Sequence, residues 1–132
     1  MTRYTFTGLT DKNRLVETMV DKSRMDRGEA MFIADHNIER CVEVWEGERL
    51  CAYVFILVQG KVRQLHGYNM VNGRARHALK ICMEFLAEEK GKVYSGHQEA
   101  NHKVNGLLKL LGFKKVGRVN DAVIMERQAV PV

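Results

Sequence analysis

Between Lys61 and Gly91 the chain concentrates the residues best suited to hold an anion. Lys61, Arg63, Arg74, Arg76 and Lys80 fall there, with no acidic residue before Glu84. Residues 62–71 mix β-branched, aromatic and apolar side chains with polar ones, which predicts a strand over 61–71. Asn72-Gly73 predicts a turn. After it, Ala75, Ala78, Leu79, Cys82, Phe85 and Leu86 recur at the spacing of a buried helix stripe, so a helix is expected over 73–90. A helix opening straight out of a glycine turn presents unpaired N–H groups and the positive end of its dipole, and phosphate is the chemistry this suits. Gly73 serves equally well as a plain turn residue.

The elements that must carry this turn belong to a chain of 132 residues, enough for one hydrophobic core and too few for two, so a single domain over 1–132 is expected. The lone proline, Pro131, argues against long disordered linkers. No apolar run approaches the roughly 20 residues that span a bilayer, and the start lacks the basic-then-apolar layout of a secretion signal. The expected compartment is the cytosol. A net charge of +5 favours anionic partners, and nucleic acid, a membrane surface or a phosphorylated cofactor would each qualify. The excess over residues 61–80 equals that of the whole chain, and the remainder is balanced.

In chain order, Tyr4–Thr7 predicts a first strand. Asp11 predicts the cap of a helix running to about Met25, with Leu15, Met19 and Ser23 on one face and Gly28 breaking it. A second short helix over Glu29–Asn37 would turn Ala30, Met31, Phe32 and Ile33 to the core or to a substrate pocket. Cys41–Glu46 and Arg49–Gln59 read as a hairpin about Gly47-Glu48, with a type II′ turn. Its second strand is apolar almost throughout and is expected at the sheet centre. Gln59-Gly60 turns the chain into the 61–71 strand, and Gly91 suits the C′ position after the 73–90 helix. A strand over Lys92–Gln98 would then lie parallel to 61–71 through a right-handed crossover. Asn101 predicts a helix cap before Val104, Leu107, Leu108 and Leu111, and Gly112-Phe113 a helix stop. Lys114–Val119 and Ala122–Glu126 close the chain as a hairpin. In the hairpin register, Cys51 would face Val44 and Cys41 would face Val54, on opposite sides of the sheet, so free buried thiols are expected for Cys41, Cys51 and Cys82.

This element order, with two local patterns, resembles the GNAT family of acetyl-CoA-dependent N-acetyltransferases, across nearly the whole chain. The more specific pattern is Asn101 standing eleven residues before the helix-ending pair Gly112-Phe113; Asp121, Met125 and Arg127 also resemble the family's final strand. The other is the pyrophosphate loop, which Asn72-Gly73-Arg74-Ala75-Arg76-His77 resembles in part: Gly73 and Ala75 fit its small positions, Asn72 replaces the usual Arg, and His77 replaces the last Gly. The resemblance implies an α/β fold of α+β type, with a central, mostly antiparallel sheet of six to seven strands, one splayed parallel pair and three to four helices.

The resemblance further implies acetyl-CoA as cofactor, lying between strands 61–71 and 92–98, and direct attack by a primary amine on the thioester. It assigns cofactor contacts to the backbone around Leu65, Gly67 and Tyr68, to Gly73, Arg74, Ala75, Arg76, His77 and Ala78, and to Asn101. For Gly67 the residues alone allow either a close backbone approach or a bulge. The base that strips the substrate ammonium is expected at His66 or His97, whose ordinary pKa suits the task; both are equally readable as hydrogen-bonded histidines without that role. Glu43 and Glu99 are further candidates, and lone carboxylates are usually solvated. Leu108 stands where many members carry the tyrosine that protonates the departing thiolate, leaving water, Tyr94 or Tyr68 as substitutes. Trp45 reads as core or sheet face. The expected acceptor is a small-molecule or protein amine, with no membrane involved. Two alternatives remain: a GNAT-shaped binding or structural protein that has lost catalysis, such as a phage internal virion-type protein, and a basic nucleic-acid binder. The latter lacks any helix-turn-helix, zinc or aromatic RNA-binding pattern.

Overall fold

The computed structural model describes residues 4–70 and 75–128, with the backbone alone at Ala75 and Arg76. Among these residues are seven strands in one mixed sheet and four helices. In chain order they are β1 (Thr5–Gly8), α1 (Lys12–Ser23), α2 (Arg27–His36), β2 (Ile38–Glu46), β3 (Arg49–Gln59) and β4 (Val62–Asn69), followed by α3 (Ala75–Ala87), β5 (Lys92–Gln98), α4 (His102–Leu110), β6 (Lys114–Val119) and β7 (Ala122–Gln128). The strand order is β1-β2-β3-β4-β5-β7-β6, with β4 and β5 parallel. The expected fold class holds. No helix among the described residues is long and apolar enough to cross a membrane.

The chain divides into two compact units, and β4 contributes its second half to the first and its opening residues to the second. In the first unit the Asp11 carboxylate accepts the Arg14 N–H at 3.1 Å and starts α1, which buries Leu15, Val16, Thr18 and Met19. The helix was expected to run to about Met25, with Gly28 as the breaker. It ends at Ser23 with Arg24 left-handed at φ of 52°, close to that bound, and Asp26 caps a new helix by accepting the Glu29 N–H. Gly28 is thereby absorbed into the first turn of α2. Leu15, Val16 and Met19 of α1 pack with Ala30, Ile33 and Ala34 of α2 on Cys41, Tyr53, Phe55 and Leu57 of the sheet. Val54 and Ile56 of β3 are buried as well, which agrees with a central strand covered on both faces.

The β2–β3 register departs from expectation. Gly47, with φ of 61°, makes the turn, but a shift between Val44 and Trp45 pairs Trp45 with Leu50 and Val44 with Ala52. Cys51 is the extra residue, and Cys41 lies opposite Phe55 rather than Val54. The alternation argument that separated the two thiols therefore used a register that the bulge removes. All three thiols are free, and burial pushes Cys41 up to about 12 and Cys82 up to about 11, which keeps both protonated.

In the second unit, α3 stops at Ala87, short of the expected end. The Glu89 N–H returns to the Leu86 carbonyl at 3.0 Å, and its buried carboxylate pairs with Arg63 of β4. Arg63 also donates to the Lys90 carbonyl at 2.8 Å, so one side chain secures the exit of α3. Gly91, with φ of 82°, turns the chain into β5 rather than capping the helix, and Gly60-Lys61 rather than Gln59-Gly60 makes the turn into β4. Ile81, Phe85, Leu86, Val93, Leu108, Leu111, Phe113, Val123 and Met125 are the buried apolar residues of this unit.

The stop of α4 is as expected. The Phe113 N–H bonds the Leu108 carbonyl at 3.0 Å and the Gly112 N–H bonds that of Lys109 at 3.1 Å, with Gly112 at φ of 92° and Phe113 buried. A Gly112→Ala variant forces a Cβ into the left-handed region and is expected to lose about 1–2 kcal/mol, read as a lower urea midpoint at unchanged m-value.

Candidate functional site

The second unit holds most of the residues that phosphate or a thioester would need. Its sequence carries twelve Lys and Arg against six Asp and Glu, a net of +6, while the first unit has nine against ten, a net of −1. Within it β4 runs beside β5, Gln64 standing opposite Tyr94, and α3 makes the crossover between them. The first turn of α3 contains no acidic residue. The opening turn of a helix carries the positive end of its dipole, and this one has no acidic side chain of its own to neutralise it. Gly73 and Arg74 lie outside the described residues. Leu65, His77 and Ala78 are half-buried.

Along β5 burial alternates: Val93, Ser95 and His97 face inward, while Tyr94 is half-buried and Gly96 is exposed. His97 is 9% exposed, and its Nδ1 has no hydrogen-bond partner. The Tyr94 hydroxyl is hydrogen-bonded to Glu126 across the β5–β7 ladder, which raises its pKa and keeps its proton in place at neutral pH. Asn101 spends its side chain on the Val104 N–H at 3.2 Å. Glu99 is held by both arms of Arg118. Leu108 is buried among apolar side chains and offers no proton.

The second half of β4 belongs to the first unit. His66 and Tyr68 share a face and both meet Phe55, His66 stacking at 5.7 Å between ring centroids and Tyr68 lying tilted at 5.9 Å. The His66 side chain is exposed at one edge, yet the protein packed behind it desolvates the ring and lowers its pKa, favouring the neutral form. Tyr68 exchanges a 2.7 Å hydrogen bond with Ser23 at the end of α1. Between them, Gly67 points its missing side chain at β3: a Cβ there would stand 2.8 Å from the Tyr53 carbonyl oxygen. The close approach readable in the sequence is thus made by a neighbouring strand.

Sequence reasoning named Glu43 as a candidate but missed the polar cluster it anchors in this unit. Glu43 is fully buried rather than solvated. Its carboxylate accepts from the Thr7 and Thr10 hydroxyls, the Thr10 N–H, the Trp45 indole and Arg14. Arg14 also donates to the Tyr53 hydroxyl at 3.2 Å and lies 5.1 Å over the Trp45 ring. Burial alone would raise the Glu43 pKa; the bonds from Thr10 and Arg14 outweigh it and hold the carboxyl below its usual range. The available signal was alternation, which puts Glu43 on the same strand face as Cys41 and Trp45.

No protein-family model and no curated protein matches the sequence. Solved structures do match its fold. A GNAT-family acetyltransferase from Bacillus cereus superposes with a TM-score of 0.72 at 19% identity, over 99% of each chain. The Campylobacter jejuni N-acetyltransferase PseH in complex with acetyl coenzyme A gives 0.67 at 11% identity, over 97% of this chain and 100% of that one. The ribosomal-protein-S18-alanine N-acetyltransferase from Escherichia coli gives 0.69 at 12% identity, over 98% and 97%. The chain has the fold of the GNAT acetyltransferases.

Proposed function

We propose that this protein is an acetyl-CoA-dependent N-acetyltransferase acting on a primary amine. The observation that carries the reading is the parallel β4–β5 pair joined through α3, whose first turn is free of acidic residues, on a unit of net charge +6. These features suit a diphosphate at the start of α3 and an extended pantetheine chain along strand backbone. A family likeness in fold leaves activity to be argued from the site.

Acetyl-CoA, when bound, supplies an activated acetyl thioester. The chain's own part is to hold and to move protons. The amides from Gly73 to Ala78, with Arg74 and Arg76, would hold the diphosphate, and the backbone at Leu65, Gly67 and Tyr68 would fix the acyl arm. Asn101 contributes by starting α4, since its side chain is committed to that cap. One of the two histidines, His66 or His97, would take the ammonium proton. Tyr94, which keeps its proton at neutral pH beside Glu126, is the group suited to return one to the departing thiolate. Holding the two reactants in register would supply most of the acceleration.

A melting curve with and without acetyl-CoA tests the cofactor assignment. At a free concentration about 1,000 times Kd the fold is expected to gain roughly 4 kcal/mol, and no shift at millimolar acetyl-CoA would end the assignment. Thiol release with polyamines, aminoglycosides and short peptides as acceptors then tests turnover. One observation favours a second reading, a non-catalytic binder: Leu108 occupies the place of the family's acid and is built into the core. A thermal shift without thiol release from any amine would select it.

A further inference from the structure

We infer that the free edge of β6 binds an acidic, extended segment of another polypeptide, which adds to the sheet as a further strand. β6 ends the strand order, with β7 on one side and no strand on the other among the described residues. Half of the backbone N–H and C=O groups of such a strand face outward with no ladder to meet them. Five of its six residues are exposed. Residues 100–120, which lead into and form this strand, hold five Lys and Arg and no Asp or Glu. Arg118 is spent on Glu99. Lys103, Lys109, Lys114 and Lys115 are exposed, and none of their side chains has an ion-pair or hydrogen-bond partner among the described residues. Large apolar side chains stand in the same stretch: Leu110 is 71% exposed, Val116 55% and Val119 62%.

Lysines and bulges also keep sheet edges from pairing, and β6 has both, since Val116 is the extra residue between Lys115 and Gly117. Two observations go beyond shielding. The opposite edge, β1, is blunted by its length of four residues and carries no charge, so lysine is not how this fold protects an edge in general. The exposed valines of β6 work against shielding, because β-branched apolar side chains on an open edge favour a neighbouring strand. The register with β7 says what that strand must carry. Lys115 and Arg118 stand opposite Met125 and Val123 on one face, and Lys114 and Val119 opposite Glu126 and Ala122 on the other. Side chains of an added strand alternate between those faces. Carboxylates on the first face would meet Lys115, and β-branched residues on the second would lie beside Val119. Alternating acidic and apolar residues are the chemistry that fits. A second copy of this chain would bring lysine to lysine across a symmetric edge pairing. A nucleic acid or an anionic bilayer would answer the charge and leave the outward backbone groups unpaired.

The test uses a capped, fluorescein-labelled peptide of about ten residues alternating glutamate and valine, with wild type and the variant K114E/K115E. Its controls are a lysine–valine peptide of the same design, a DNA duplex and phosphatidylserine vesicles. The acidic peptide is expected to bind, to weaken as salt rises, and to lose about tenfold or more in affinity when both lysines are reversed. The two lysines are exposed, so the variant is expected to melt with wild type. The decisive readout is amide hydrogen exchange over residues 114–119 of the wild-type chain. Its outward N–H groups should exchange freely in the protein alone and become protected when the peptide is bound. Should the variant fail to fold, the wild-type exchange pattern decides by itself. No binding of the acidic peptide overturns the inference, as does equal binding of the lysine–valine peptide. Binding that leaves the β6 amides unprotected also overturns it, since charge alone would then account for the affinity. Tighter binding of the duplex or the vesicles than of the peptide, lost in K114E/K115E, would overturn it in favour of a nucleic-acid or membrane surface. None of these readouts uses acetyl-CoA or thiol release, so the transferase reading can fail without touching this one.

Discussion

Glu43→Ala is expected to cost about 2–3 kcal/mol of stability, the upper part of the range for leaving buried donors without their acceptor, since Glu43 is fully buried while its charged partner Arg14 keeps an exposed side chain. The carboxylate receives five donors from β1, the β1–α1 loop, α1 and β2. Truncation leaves the Thr10 N–H and the Trp45 indole without this acceptor and frees Arg14 from one of its anchors. Glu43→Gln keeps the volume but turns two donors toward donors already there, so it should also destabilise. The double variant R14M/E43L removes charge and countercharge together and should recover part of the loss. Urea unfolding measures all three, and a cost below about 1 kcal/mol for the Ala variant would show that the cluster is dispensable. The pH dependence has a definite sign. A folded pKa held below the unfolded value means that the contribution is fully present above the ordinary glutamate value of 4.5 and fades as the pH falls through the lowered folded value. Wild type should therefore lose more stability on acidification than the Gln variant.

Gly67→Ala is the second large effect, and its value lies in the contrast with Gly106→Ala. At Gly67 the new methyl would sit 2.8 Å from the Tyr53 carbonyl oxygen, a distance real Cβ atoms do not adopt. The obstacle is main chain in the central strand β3, whose side chains here are buried, so it cannot swing aside. A loss of about 1–3 kcal/mol is expected, the range for overpacking. At Gly106, inside α4, a Cβ meets nothing within 4 Å. There the same substitution should gain roughly 0.5–1 kcal/mol from helix propensity. Equal effects at the two positions would mean that the contact at Gly67 is not what excludes a side chain.

Local signals account for most of the fold that was readable in advance. Asp11 and Asn101 start helices because their side chains accept an N–H three residues ahead, and Gly112-Phe113 stops α4 through bonds made within six residues. The parallel β4–β5 pair followed from the length and handedness of the crossover, also a local property. Gly28 misled as the breaker because Asp26 already caps α2 ahead of it and draws the glycine into that helix's first turn. The cysteine register misled because a bulge is a choice between neighbouring strands and leaves no mark in either one alone.

For the site, the sequence by itself determined the residue types, the order of elements and the excess of positive charge along 61–80, since each is fixed by covalent order. Only the tertiary structure decided which of those groups are spent. Asn101 is consumed by a cap, Glu99 by Arg118 and Gly67 by the Tyr53 carbonyl, while Glu43 becomes a buried hub and His97 keeps a nitrogen unpaired. Whether a polar atom is satisfied depends on what other segments bring within about 3 Å, and no pattern of neighbours along the chain contains that distance.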